Sequence, residues 1–203
     1  LLRYIKALQQ LSKRAESYIT SVVKTVELSP GQSWEIDRTA GLLCIRSGLV
    51  KKVSRRSRQI LRFLREGEGM TMLAEHRFSW VYVAIEPTVI EYIAGDDIQE
   101  IYEKYPLANR LATVFMTKDM MIERQHFHSL VLDSTERYNM LMADYRRYCE
   151  VARFRSRLEY RQIARSFHWL LARVPMYELA DYLDMSERKL RVMSGRTLQG
   201  RLN

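Results

Sequence analysis

Between Met176 and Met193 the apolar residues fall at a spacing that suits a steeply crossed pair of short helices. Leu179, Leu183, Met185, Leu190 and Met193 supply the inward positions, and Ala180 is the small residue where the two helices touch. The turn between them needs a residue in left-handed backbone geometry. Glycine is the usual occupant; Asp184 stands here, and aspartate accepts that geometry better than most side chains. Ser186 is placed to cap the second helix with its hydroxyl. Glu187, Arg188, Lys189 and Arg191 are then left pointing outward. A helix-turn-helix is the expectation, and an ordinary helical hairpin with a solvated charged face is the alternative that fits fewer of these positions.

The N-terminal half has a different texture. Leu1 to Ser21 carries apolar residues at a 3.6-residue period (Leu1, Tyr4, Ile5, Leu8, Leu11, Ala15, Tyr18, Ile19), which predicts one amphipathic helix. Short β-rich runs follow at Val22 to Leu28, Leu42 to Arg46, Leu49 to Val53, Ile60 to Arg65 and Trp80 to Ile93. Turn signals at Ser29-Pro30-Gly31 and Ser47-Gly48 separate them, which predicts a small sandwich or barrel. After Ala94-Gly95 the helical period returns, with Asp97 as the expected cap of Ile98 to Tyr105 and Pro106 as the break. Leu107 to Leu132 contains neither Gly nor Pro. At about 1.5 Å per residue it spans roughly 39 Å, more than one small barrel covers, so a two-fold related copy is the economical partner for its apolar stripe.

Charge gives a direction. The chain of 203 residues has a formal charge of +9, which suits a polyanionic partner. The excess is densest between Arg146 and Arg165, where seven arginines face only Glu150 and Glu159. A solvated helix face and a phosphate-contacting surface explain that run equally well. Cys44 and Cys149 are isolated from each other, so no disulfide framework, zinc site or iron-sulfur cluster is encoded. A reducing cytoplasm is the expected location. No apolar run reaches the roughly 20 residues of a membrane span. His126 and His128 lie roughly 200° apart on a helix and cannot share an ion, so no metal is expected. No phosphate loop, nucleophile elbow or acid-base constellation is present, and the expectation is a non-enzyme without a cofactor.

Several segments resemble the Crp/Fnr family of bacterial regulators, in the style found among Bacteroidetes. Arg173 to Ser186 is similar to the family's entry into its helix-turn-helix, and Ser134-Thr135-Glu136-Arg137-Tyr138 to the segment after its dimer helix. Leu43 to Lys51 resembles the hairpin of its cyclic-nucleotide-type barrel, and Phe63 to Glu68 the strand and turn that follow. The resemblance covers nearly the whole chain in the right order. It implies an α+β fold: an N-terminal double-stranded β-helix (a cyclic-nucleotide-binding-like jelly roll), a long dimerisation helix and a C-terminal helix-turn-helix domain. The expected boundaries are 1–105, 106–133 and 134–203.

The departures carry information too. Gly67 to Trp80 is compressed, and Ser79 occupies the place of the arginine that neutralises a cyclic phosphate, with Arg77 the nearby cation. A buried anion without a partner is very costly, so cAMP is not expected to bind. Glu66, Glu68 and Arg77 are the candidate effector contacts, for an effector of unknown identity. The stretch from Arg137 to Arg173 is longer than the family pattern, and ten residues after Met193 leave little room for a two-stranded wing.

The implied function is dimeric binding of double-stranded DNA at an approximately palindromic operator, with RNA polymerase as a further candidate partner and no membrane association. Arg188 and Lys189 are the expected base-edge contacts, Arg191 and Arg196 the expected phosphate contacts, and Ser186 fits either role. Glu187 and Val192 stand where well-known relatives have arginine, so the DNA sequence read should differ. The competing class is a ligand- or protein-binding module that has lost DNA recognition.

Overall fold

The computed structural model describes residues 1–2, 5–6, 11–35, 41–72, 80–105, 113, 117, 120–121, 124, 131–153 and 173–199; of these, side-chain placement is not described for 71–72, 144–153 and 196–199. The chain divides into two compact units, Leu1–Arg124 and Gln125–Asn203.

The first unit is built on strands β1 (Lys24–Leu28), β2 (Ser33–Trp34), β3 (Gly41–Ser47), β4 (Leu49–Ser54), β5 (Ile60–Arg65), β6 (Gly69–Met72), β7 (Trp80–Ala84) and β8 (Thr88–Ile93). They form two four-stranded antiparallel sheets, in the orders β1-β8-β3-β6 and β2-β7-β4-β5. This is a jelly roll. Ile90 on β8 pairs with Val26 and with Ile45, and Val50 on β4 pairs with Leu64 and with Ala84.

Strand β3 is buried on both faces, and its period of two sorts its side chains between two cores. Leu43 and Ile45 point into the roll with Val50, Leu64, Tyr82 and Ile90. Leu42 and Cys44 point the other way, into a cluster with Ile19, Ile93 and Ile101. Each fully buried Leu or Ile contributes about 1.5–3 kcal/mol, so the continuous apolar run at 42–45 serves both layers at once.

The covering layer comes from helix α1 (Lys13–Val22) and helix α2 (Gly95–Lys104), which pack on each other, with α2 also against β3. The Tyr18 and Tyr105 rings lie 5.9 Å apart. A hydrogen bond to the Glu100 carboxylate, followed by burial, pushes the Tyr18 phenol up to about 12.

Four expectations need correction. The periodic stretch from Leu1 to Ser21 is not one helix: Leu11 and Ser12 are non-helical, and Ser12 caps a fresh start by accepting from Ala15 N–H at 3.2 Å. That capping competes locally with helix continuation, which periodicity alone does not register. The first strand begins at Lys24, because α1 runs through Val22. Trp80 to Ile93 is two strands, broken at residues 85–87, where Pro87 lacks the N–H a ladder requires. Asp97 is not a cap: α2 starts at Gly95 with Ala94 as its N-cap, and Asp97 pairs with Lys24 at 3.6 Å. The short strands β2 and β6 were not expected from the sequence.

In the second unit, helices α3 (Ser134–Arg153), α4 (Met176–Tyr182) and α5 (Glu187–Gln199) are described. Among the described residues no helix is long and apolar enough to cross a membrane, and no group of three His, Cys, Asp or Glu side chains is arranged to hold a metal ion. Positions 126 and 128 lie outside the described residues, as do most of the expected dimerisation helix and the arginine-rich run beyond 153.

Candidate nucleic-acid interface

Pro175 precedes the first turn of α4, where a missing N–H costs nothing. The helix stops at a cap with two characteristic bonds. Met185 N–H donates to the Ala180 carbonyl at 3.0 Å, and Asp184 N–H to the Asp181 carbonyl at 3.1 Å. Asp184 itself has φ +53°, the left-handed turn expected of that position. These are the paired bonds of a Schellman motif, which satisfy carbonyls that the helix end would otherwise leave open.

Helix α5 begins at once. Ser186 Oγ accepts from Lys189 N–H at 3.2 Å, as expected of a cap. Leu179, Leu183 and Leu190 are essentially inaccessible and Ala180 is buried; Met185 and Met193, expected in the same set, are only half-buried. Helix α3 fastens this pair from outside. Its Arg137 reaches the Asp184 carboxylate at 3.6 Å and donates from Nε to the Leu132 carbonyl at 3.1 Å.

The start of α3 is a capping box. Asp133 Oδ1 accepts from Thr135 N–H at 2.7 Å and Glu136 N–H at 2.9 Å, while the Glu136 carboxylate accepts from Asp133 N–H at 3.1 Å. The Glu136 and Thr135 amides hold the Asp133 carboxyl below its usual range. The Asp-x-x-Glu spacing of Asp133 and Glu136 is the sequence signal for this start, one that periodicity does not capture.

The candidate DNA-contacting side chains do not share one direction. On α5 the buried Leu190 and Ser194 mark the inward row. At about 100° per residue, Arg188 and Val192 fall on the opposite, outward row, with Lys189 and Arg191 about 80° to either side. Arg188 is exposed. Lys189 turns back toward α3, donating from Nζ to Ser134 Oγ at 2.6 Å. Arg191 is exposed and lies 3.4 Å from the Glu187 carboxylate, an i,i+4 pair that contributes little in water. Arg196 lies on α5, with its side chain outside the described set. A cleft of about 570 Å³ opens between Thr135, Tyr138 and Asn139 of α3 and Arg188, Lys189, Val192 and Met193 of α5, with the capping Ser186 also on its wall.

The candidate effector residues are placed as follows. Glu66 is an exposed turn residue between β5 and β6. Glu68 is engaged within the roll's own frame: its carboxylate accepts from Arg65 N–H at 3.2 Å and pairs with Arg65 at 3.4 Å and Arg62 at 3.9 Å. The same turn is tied to β3 by Gly67 N–H to the Ile45 carbonyl at 2.8 Å and Ile45 N–H to the Glu68 carbonyl at 2.9 Å, with Gly67 at φ +79°. Arg77 and Ser79 lie outside the described residues.

The chain matches no protein-family model and no curated protein. Solved structures do resemble it. FixK2 from Bradyrhizobium japonicum superposes with a TM-score of 0.63 at 14% identity, covering 88% of this chain and 86% of that one. A cyclic nucleotide-binding domain containing protein from Listeria monocytogenes gives 0.62 at 12%, covering 98% and 89%. A CooA mutant from Carboxydothermus hydrogenoformans gives 0.58 at 13%, covering 98% and 84%. At these identities the likeness concerns the fold. The chain has the α+β architecture of a cyclic-nucleotide-binding-type jelly roll followed by a helical part, a Crp/Fnr-like fold.

Proposed function

We propose that the chain is a DNA-binding transcription regulator of the Crp/Fnr type that acts as a dimer. One observation carries the proposal: α4 and α5 form a tightly capped helical pair, and the exposed positions of α5 carry Arg188, Lys189 and Arg191 beside the acidic Glu187. A helix of that kind fits the DNA major groove, where guanidinium and ammonium groups meet base edges and phosphates. The net charge of +9 favours the same partner. Fold likeness to FixK2 and CooA supports the assignment in kind.

In this proposal residues 134–203 are the DNA-binding domain, and the segment 106–133, which is no longer helical by 131–133, carries the dimer. Met120 and Met121 on this segment are 67% and 64% exposed, apolar surface that a second copy would cover. Two-fold symmetry then sets half-sites about 34 Å apart. The roll is a sensor that does not take cAMP, a reading supported by the engagement of Glu68 with Arg65 and Arg62.

Gel shift against promoter fragments at two salt concentrations tests the proposal. Binding that weakens steeply with salt is expected. Absence of salt-sensitive binding would leave the protein as a ligand- or protein-binding module. Arg188→Ala should relax sequence preference, whereas Arg191→Ala should weaken all sequences alike and lower the salt slope of the dimer by about 1.8, roughly 0.9 per half-site. Equal effects from both substitutions would refute the division of roles.

A further inference from the structure

The outward row of α5 holds one feature that phosphate binding does not use. Val192 is 49% exposed on a helix whose other exposed residues from Glu187 to Arg191 are charged. It lies four residues after Arg188, in line with it and directly opposite the buried Leu190 and Ser194. It stands at the edge of the cleft between α3 and α5, so about half of its apolar surface is left open to a partner. Its neighbours Arg188, Lys189 and Arg191 would bring it against a polyanion. Among the groups that base pairs present in the major groove, the apolar one is the 5-methyl of thymine.

We propose that Val192 is a specificity residue that reads a thymine methyl in each half-site, next to the base contacted by Arg188. The proposal rests on the DNA-binding reading above. Arg188 and Val192 then form a two-residue code along one helix row: a bidentate donor for guanine, and one turn later an apolar contact for thymine. Lys189, drawn aside to Ser134 Oγ, is left to position the helix on the backbone.

Duplexes enriched by the full chain from a random-sequence library supply the site, and uracil then replaces thymine at each position in turn. Uracil keeps every hydrogen-bonding group and lacks only the methyl. One position per half-site should respond, with affinity falling about fourfold for one half-site and about fifteenfold for both, the scale of one methyl group returned to water. Val192→Ala, at an exposed position whose fold is checked by circular dichroism, should bind thymine and uracil duplexes alike. Failure to enrich any sequence, with no salt-sensitive binding, overturns the regulator reading and this proposal with it. Sequence-selective binding that tolerates uracil at every position overturns this proposal alone. A uracil effect that persists in Val192→Ala assigns the methyl to another residue and equally overturns it.

Discussion

Replacing Gly195 by alanine should stabilise the second unit. Gly195 sits inside α5, three residues beyond Val192, and a Cβ built on it has no heavy atom within 4 Å. Its φ is not in the left-handed region, so alanine introduces no backbone strain. Glycine in a helix interior costs about 0.8–1.0 kcal/mol relative to alanine, chiefly through backbone entropy. The position is four residues from the helix end at Gln199, where fraying trims the gain, so about 0.5–1 kcal/mol is expected. For a unit the size of Gln125–Asn203 that corresponds to a rise in melting temperature of about 2–8 °C. Thermal unfolding followed at 222 nm, roughly the helix signal, measures it against the wild type. Gly195→Ser is the internal control: serine has lower helix propensity than alanine, so its gain should be about half as large. A lowered midpoint for alanine would mean that the outward row of α5 is covered in the protein, and would refute the placement on which the Arg188 and Val192 assignments depend.

Gly48 is the opposite case. With φ +93° and a virtual Cβ 2.6 Å from the Pro87 carbonyl oxygen and 2.7 Å from Thr88 Cα, Gly48→Ala should cost at least about 2 kcal/mol in urea unfolding. An unchanged midpoint would contradict the β3–β4 hairpin geometry. Asp133, whose carboxyl is held below the usual range by the Glu136 and Thr135 amides, contributes stability that is present above its unfolded pKa and lost as pH falls through the lower folded one. Asp133→Asn should therefore flatten the stability profile of the second unit below about pH 4, and an identical acid profile in both proteins would remove the cap from the account.

How much of this was legible in the residues depends on the range of the forces involved. The turn at Asp184, the cap at Ser186 and the inward leucines of α4 and α5 all follow from interactions between residues within a few positions of each other, and each is where the spacing placed it. The cores of β3, β4 and β5 were equally readable, because burial on a pleated strand writes itself as apolar residues in series. The break at Ser12 and the cap at Asp133 were local as well, and were overlooked because periodicity outweighed side-chain capping.

Other properties arise only when distant segments meet. The Glu68 carboxylate pairs locally with Arg65 and Arg62, but nothing near it in the chain says that its backbone is held by Ile45; the roll decides that by bringing β3 against β6. Lys189 and Arg188 are adjacent basic residues with the same apparent purpose in sequence. The packing of α3 beside α5 separates them, taking Lys189 Nζ to Ser134 Oγ while Arg188 stays exposed with Val192 at the edge of the cleft between the helices. By itself the sequence determined that two capped helices would form here and which residues they would bury, since propensity and capping act over one or two turns. Which of the exposed side chains is free to face a partner was decided only by the tertiary structure, because a long flexible cation takes the nearest acceptor that folding sets beside it.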